Sequence, residues 1–91
     1  MATAIILITA VRGEVTRVGE ELAALPEVSE VYSVAGNFDL VALVRVPEHE
    51  DLATLATQKM PMIAGIERTE TLIAFRSYSR HDLESLFSVG M

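Results

Sequence analysis

The sequence predicts an α+β fold: a ferredoxin-like βαββαβ sandwich with a short C-terminal helix, dimerising through its sheet as a dimeric α+β barrel. Three observations carry this expectation. Strand-like and helix-like periodicities alternate along the chain in the order β-α-β-β-α-β. Leu25-Pro26-Glu27-Val28 and Ile63-Ala64-Gly65-Ile66, 38 residues apart, each link a helix pattern to a strand pattern, a weak internal repeat that suits a duplicated βαβ unit. Finally, both faces of the first, third and fourth strand patterns are largely apolar, whereas two helices on one side can cover only one of them.

The first strand is expected over Thr3 to Val11, where Ile5, Ile6, Leu7 and Ile8 follow one another as in a strand covered on both faces. This run has no basic leader and is short for a spanning helix, so a buried strand and a cytoplasmic location are expected. Gly13 breaks it. Val15, Val18, Leu22 and Leu25, spaced 3, 4 and 3 apart, then line one face of a helix, with Glu14, Arg17 and Glu21 on the other, until Pro26 ends it. Val28 to Ala35 alternates, with Val28, Glu30, Tyr32 and Val34 on one side and Ser29, Val31, Ser33 and Ala35 on the other. Gly36-Asn37 marks a hairpin turn into a strand over Asp39 to Val46, whose two faces carry Val41 and Leu43 against Leu40, Ala42 and Val44. After Pro47, Glu48, Glu50 and Asp51 suit a helix's first turn and Lys59 its end, with Leu52, Leu55 and Ala56 inward and Pro61 as the stop. A fourth strand is expected from about Arg68 to Tyr78, with Leu72 and Ala74 facing away from Ile73 and Phe75. Ser79 and Asp82 form a capping pattern for a last helix bearing Leu83, Leu86 and Phe87.

Composition bounds the function. At 91 residues the chain is one domain, 1–91, small enough that association with a second copy is a natural source of stability. A hydrophobic fraction of 51 % excludes disorder, and the absence of cysteine excludes disulfides, thiolate metal sites and cysteine nucleophiles. A net charge of −6 argues against direct nucleic-acid binding, which draws on clustered Lys and Arg. His49 and His81 read as solvated residues in helix first turns, so no metal and no cofactor is expected. The sequence holds no triad spacing and no Gly-rich phosphate loop, and an enzyme is not expected.

Two segments have both a plain and a functional reading. Gly36-Asn37-Phe38-Asp39 suits a turn whose Asp39 bonds nearby backbone, or a rim where backbone N–H groups meet an α-carboxylate and Asp39 meets an α-amino group. Thr69-Glu70-Thr71 is ordinary strand composition, or two hydroxyls projecting into one cleft.

Glu30-Val31-Tyr32-Ser33-Val34-Ala35-Gly36-Asn37-Phe38-Asp39-Leu40, followed by a helix and then Ile63-Ala64-Gly65-Ile66-Glu67-Arg68-Thr69-Glu70-Thr71, resembles the effector-binding (RAM) domain of the Lrp/AsnC family. The resemblance spans residues 3 to about 78. It implies dimers by sheet packing, assembly of dimers into octamers or decamers, and a small amino-acid effector bound between dimers. Carried over residue by residue, the ligand rim is Ala35, Gly36, Asn37, Phe38 and Asp39 with Thr69 and Thr71. Gly36 admits the ligand to the backbone, Asp39 pairs with its ammonium group, and the threonines bond its polar ends. Met60 and Met62 suit either an adaptable apolar wall or core filling. Regulators of the family carry a helix-turn-helix domain before the first strand, and here the chain begins at that strand. The resemblance therefore implies a stand-alone effector-binding module that works through a full-length Lrp/AsnC regulator or another partner, with no membrane contact. Met60-Pro61-Met62, where relatives continue the helix, departs from the pattern. Two other functions share the fold: a barrel enzyme of the antibiotic-biosynthesis monooxygenase type, and a purely structural assembly module.

Overall fold

The computed structural model of the chain describes residues 1–78 and Arg80. Four antiparallel strands, β1 (Ala2–Ala10), β2 (Val28–Ser33), β3 (Leu40–Val46) and β4 (Ile66–Ala74), form one sheet in the order β2-β3-β1-β4. Two helices, α1 (Val15–Ala23) and α2 (His49–Thr54), complete the βαββαβ sequence. The expected last helix, with its Ser79 and Asp82 cap, lies outside the described residues.

Strict alternation in β1 and β3 sets the core. Ala2, Ala4, Ile6 and Ile8 pair across the sheet with Val46, Val44, Ala42 and Leu40, and these eight are buried on the helix side together with Ala10. Val18 and Leu22 of α1 and Leu52 of α2 close over them. Burial of each large aliphatic contributes about 1.5–3 kcal/mol, which makes this layer the main source of stability. On the other face lie Thr3, Ile5, Leu7 and Thr9 beside Val41 and Leu43, with Leu72 and Ala74 of β4 and Tyr32 of β2. No helix covers that face among the described residues. Leu72 is 45 % exposed and Tyr32 47 %, while Ile5, Leu7, Val41 and Leu43 are half-buried by their neighbours.

Four local expectations need correction. In β2 the pairing shifts between Val28, opposite Val44, and Glu30, opposite Leu43. This bulge puts Val28 on the helix side with Val31 and separates it from Glu30 and Tyr32, which point to the open face. In the second helical segment, α2 is followed by a π-helical turn over Leu55–Lys59 and a 3₁₀ turn over Met60–Met62, so Pro61 tightens the helix one turn before it ends. The wide turn moves the inward positions to Leu55 and Met60, five residues apart, and leaves Ala56 exposed. Thus Met60 fills the core, whereas Met62 is 84 % exposed. Third, β4 starts two residues earlier than expected and ends at Ala74, so Phe75 and Tyr78 lie beyond it and are exposed. Fourth, the helices do not cover the whole of one face. α2 packs on β1 and β3, so Thr69, Thr71 and Ile73, on the helix side of the edge strand β4, remain exposed.

The polar ends are tied down locally. The N–H of Glu48 donates to the Asp51 carboxylate at 3.0 Å, closing the first turn of α2. Lys59 donates to Glu27, fastening the π-helical turn to the link between α1 and β2, and this bond holds the Glu27 carboxyl below the usual carboxylate range.

Candidate functional site

The β2–β3 connection is built around Asp39. Val34 N–H donates to the Asp39 carbonyl at 3.0 Å, and Asp39 N–H donates to the Ile8 carbonyl at 2.9 Å. The side chain continues the pairing beyond the β1–β3 ladder, since Ala10 N–H donates to Asp39 Oδ2 at 2.9 Å. An acidic residue is favoured here because it supplies an acceptor to a strand end that has run out of partner carbonyls. Asp39 therefore bonds backbone 29 residues away in sequence. Between Val34 and Asp39 the chain turns through Gly36, whose φ of +130° lies where L side chains are strained. Ala35, Gly36 and Asn37 form the exposed tip, and Phe38 is half-buried below it.

Phe38 reaches the first residues of β4. The guanidinium carbon of Arg68 stands 5.9 Å from the Phe38 ring centroid, within cation–π range. Phe38, Arg68, Thr69 and Glu70 line a cavity of about 310 Å³. Arg68 and Thr69 also line a smaller cavity of about 170 Å³ with Ala56, Met60, Pro61, Ile63, Ile66 and Glu67. Arg68, Glu70 and Thr69 thus border one cavity on the edge of the sheet, and the end of the second helical segment gives the adjoining cavity an apolar wall. Such a set can bind the two charged ends of a zwitterion.

Of the residues expected at the site, Phe38 and Thr69 share a cavity. Thr71, opposite Ile6, lies on the same face of β4 as Thr69, opposite Ile8, but lines neither of the two cavities. Ala35, Gly36, Asn37 and Asp39 stand in the adjoining turn and also line neither. Arg68 and Glu70 were not among the expected residues. Strand alternation assigns them to the face opposite Thr69, and only the edge position of β4 lets both faces border one cavity. A larger cavity of about 420 Å³, bordered by Pro26, Arg45, Pro47 and the Glu27–Lys59 pair, shares no residue with this site. Among the described residues no group of three His, Asp or Glu could hold a metal, and no helix is long and apolar enough to cross a membrane.

Comparison with known proteins places the chain in a family. The family model described as "Lrp/AsnC ligand binding domain" matches residues 3–83. The crystal structure of TTHA0845 from Thermus thermophilus superposes with a TM-score of 0.82 at 51 % identity, covering 88 % of this chain and 100 % of that one. The feast or famine regulatory protein from M. tuberculosis, crystallised with L-methionine, superposes with a TM-score of 0.73 at 30 % identity, over 88 % of this chain and 54 % of that one. The HTH-type transcriptional regulator FL11 of Pyrococcus horikoshii is 32 % identical over 75 residues, 82 % of this chain and 49 % of that protein. The chain spans about half the length, or less, of the curated relatives it matches. With its sheet order, its helix placement and nearly its whole length accounted for by one ligand-binding domain, the chain belongs to the Lrp/AsnC family.

Proposed function

We propose that this chain is a regulatory effector-binding module that takes a small amino acid at the edge of its sheet, rather than an enzyme. The carrying observation is the meeting of Phe38, Arg68, Thr69 and Glu70 around one cavity of about 310 Å³. In this reading Arg68 receives the ligand carboxylate and Glu70 its ammonium group. Thr69 and Thr71 hydrogen-bond the polar ends, and Phe38 covers the backbone of the ligand. Ala35, Gly36 and Asn37 complete the rim. Asp39 contributes through Oδ1, since Oδ2 is engaged by Ala10. Support for an amino-acid ligand comes from the mycobacterial relative, which was crystallised with L-methionine.

The open sheet face supplies the second part of the proposal. Ile5, Leu7, Val41, Leu43, Leu72 and Ala74 form one contiguous apolar surface, rimmed by Glu30, Arg45, Arg68 and Glu70. A second copy packed sheet on sheet covers it at the least cost, because the same apolar strip meets itself. Dimers of this kind stack into octamers or decamers with the effector site between them. With a net charge of −6, the module acts through a partner, such as a full-length Lrp/AsnC regulator, and not by contacting DNA itself.

A thermal-shift screen against the twenty amino acids, read beside the mass in solution, tests this proposal. At a hundred times its dissociation constant a ligand of the native state adds about 2.7 kcal/mol, a shift of roughly 10–20 °C for a domain of this size. Stabilisation confined to one chemical class of amino acid, in an assembly larger than a monomer, is the expected result. No shift with any amino acid at millimolar concentration would refute the effector reading.

A further inference from the structure

The effector reading leaves open what holds β4 in place. Its pairing with β1 shifts near its start: Arg68 lies opposite Thr9 but Ile66 lies opposite Ala10, so Glu67 is an extra residue in the ladder. Beyond it come Thr69, opposite Ile8, and Thr71, opposite Ile6. Because side chains alternate, a slip of one residue at this bulge would turn both threonines to the other face and move Arg68 away from Phe38. The ladder is interrupted next to the site, where a constraint just before the strand can set the register.

Two hydrogen bonds supply that constraint. Val11 N–H donates to the Gly65 carbonyl at 2.7 Å. From α1, Arg17 Nη2 donates to the Ala64 carbonyl at 2.7 Å. The guanidinium arrives already oriented, since its Nε donates to Glu14 Oε2 at 3.0 Å and its Nη1 to Glu21 Oε2 at 2.8 Å. With two carboxylates fixing the plane of the fork, its third corner has one direction left to point, towards Ala64. The chain lies close against the helix here. Gly65 has a φ of +97°, and a Cβ on it would stand 2.5 Å from Arg17 Nη2 and 3.0 Å from Val18 Cγ2.

We infer that Arg17 is a positioning residue for the effector site: by holding the Ala64 carbonyl it fixes the register of the first half of β4, and so the placement of Arg68, Thr69 and Thr71. The inference rests on the effector reading, and Arg17 itself touches none of the residues assigned to the ligand. Its place on α1, bonded to the chain just before β4, makes it a point through which changes at that helix would reach the site.

The test compares the full chain with Arg17→Met and Arg17→Lys. Each is titrated with L-methionine well below its melting temperature, and with the other nineteen amino acids if methionine gives no heat. Amide hydrogen exchange is followed at residues 66–69. Arg17→Met is expected to weaken binding about five- to tenfold and to speed exchange at those amides. Arg17→Lys, which keeps one donor for Ala64, should recover part of both effects. A variant that melts earlier yet binds as tightly as the unaltered chain would show a purely structural role and overturn the inference. If the unaltered chain binds no amino acid, the effector reading fails separately, and exchange at residues 66–69 decides the rest: rates unchanged by Arg17→Met would overturn the positioning role.

Discussion

Asp39 has two duties in this reading, and two substitutions separate them. Asp39→Ala removes the acceptor that Ala10 N–H uses at 2.9 Å. Ala10 is only 7 % exposed, so its N–H has little access to replacement water. Leaving such a donor unpaired costs about 1–3 kcal/mol, and a bond to a charged acceptor belongs in the upper half of that range. The expected loss is therefore about 2 kcal/mol, or roughly 8–16 °C in melting temperature for a domain of this size. Asp39→Asn keeps an oxygen of the same reach and removes the charge, so it should lose about 1 kcal/mol or less. Urea unfolding of both variants without ligand, at one protomer concentration, measures the anchoring duty. Titration with an amino acid then measures the other: Asp39→Asn, still well folded, should bind more weakly because the ammonium group has lost a carboxylate. Equal destabilisation by the two variants would mean that charge, and not the bond to Ala10, is what the fold uses. Unaltered stability of Asp39→Ala would refute the anchoring argument outright.

Three further outcomes are expected. Leu43→Asp places a charge in the middle of the open sheet face, where the side chain is half-buried in the single chain, so the fold should survive while the mass by light scattering falls to that of a monomer; a variant that keeps its assembly would move the interface elsewhere. Gly65→Ala forces a side chain onto a φ of +97° with Val18 Cγ2 at 3.0 Å, and should cost more than about 1 kcal/mol in urea unfolding; a neutral result would mean that the chain before β4 relaxes freely. The Glu27 carboxyl is held below its ordinary value by Lys59, so its contribution is complete above the ordinary carboxylate range and disappears as the pH falls through the lowered value. Relative to Glu27→Gln, the unaltered chain should lose about 1 kcal/mol or less of stability on acidification below about pH 4.5, and parallel pH curves would show that the pair does not matter.

How much of this was legible in the sequence depended on whether a feature was periodic. The βαββαβ order, the two faces of β1 and β3, and the shared face of Thr69 and Thr71 all follow from alternation, and the structure reproduces them. The bulge in β2 does not follow from it. Val28 and Val31 are both turned to the core although three residues apart, a spacing that an alternating strand forbids and a bulge permits. The π-helical turn is hidden for the same reason, because Leu52, Leu55 and Ala56 read as an ordinary helix stripe while the inward residue after Leu55 is Met60. Contacts between distant strands do not follow from alternation: the resemblance brought Phe38 and Thr69 to one rim, but nothing periodic marked Arg68 as the partner of Phe38.

That sheet order also explains why the proposed ligand site falls at this corner. A duplicated βαβ unit leaves β4 at an edge, and the short α2, widened into a π-helical turn, covers β1 and β3 without reaching over it. Among the described residues nothing buries the exposed side chains of β4, and residues from both faces of the strand line one cavity. In a fully covered strand Arg68 and Glu70 could not border a cavity together with Thr69, since alternation would place them on opposite sides of a closed layer. The edge removes that restriction, and the half-buried Phe38 from the neighbouring turn closes one side of it. A site of this construction is unfinished in one chain, because nothing among the described residues covers the outer side of β4. In the proposed reading a ligand and the next copy of the module complete it. In that reading ligand occupancy and assembly cover the same surface, as alternatives or as partners, and each depends on the other. Such coupling requires that a ligand which stabilises the larger assembly also bind more tightly to it, by the same factor. Amino-acid titrations at protein concentrations above and below the point of dissociation should therefore give different affinities, and identical ones would mean that the site is complete within a single chain.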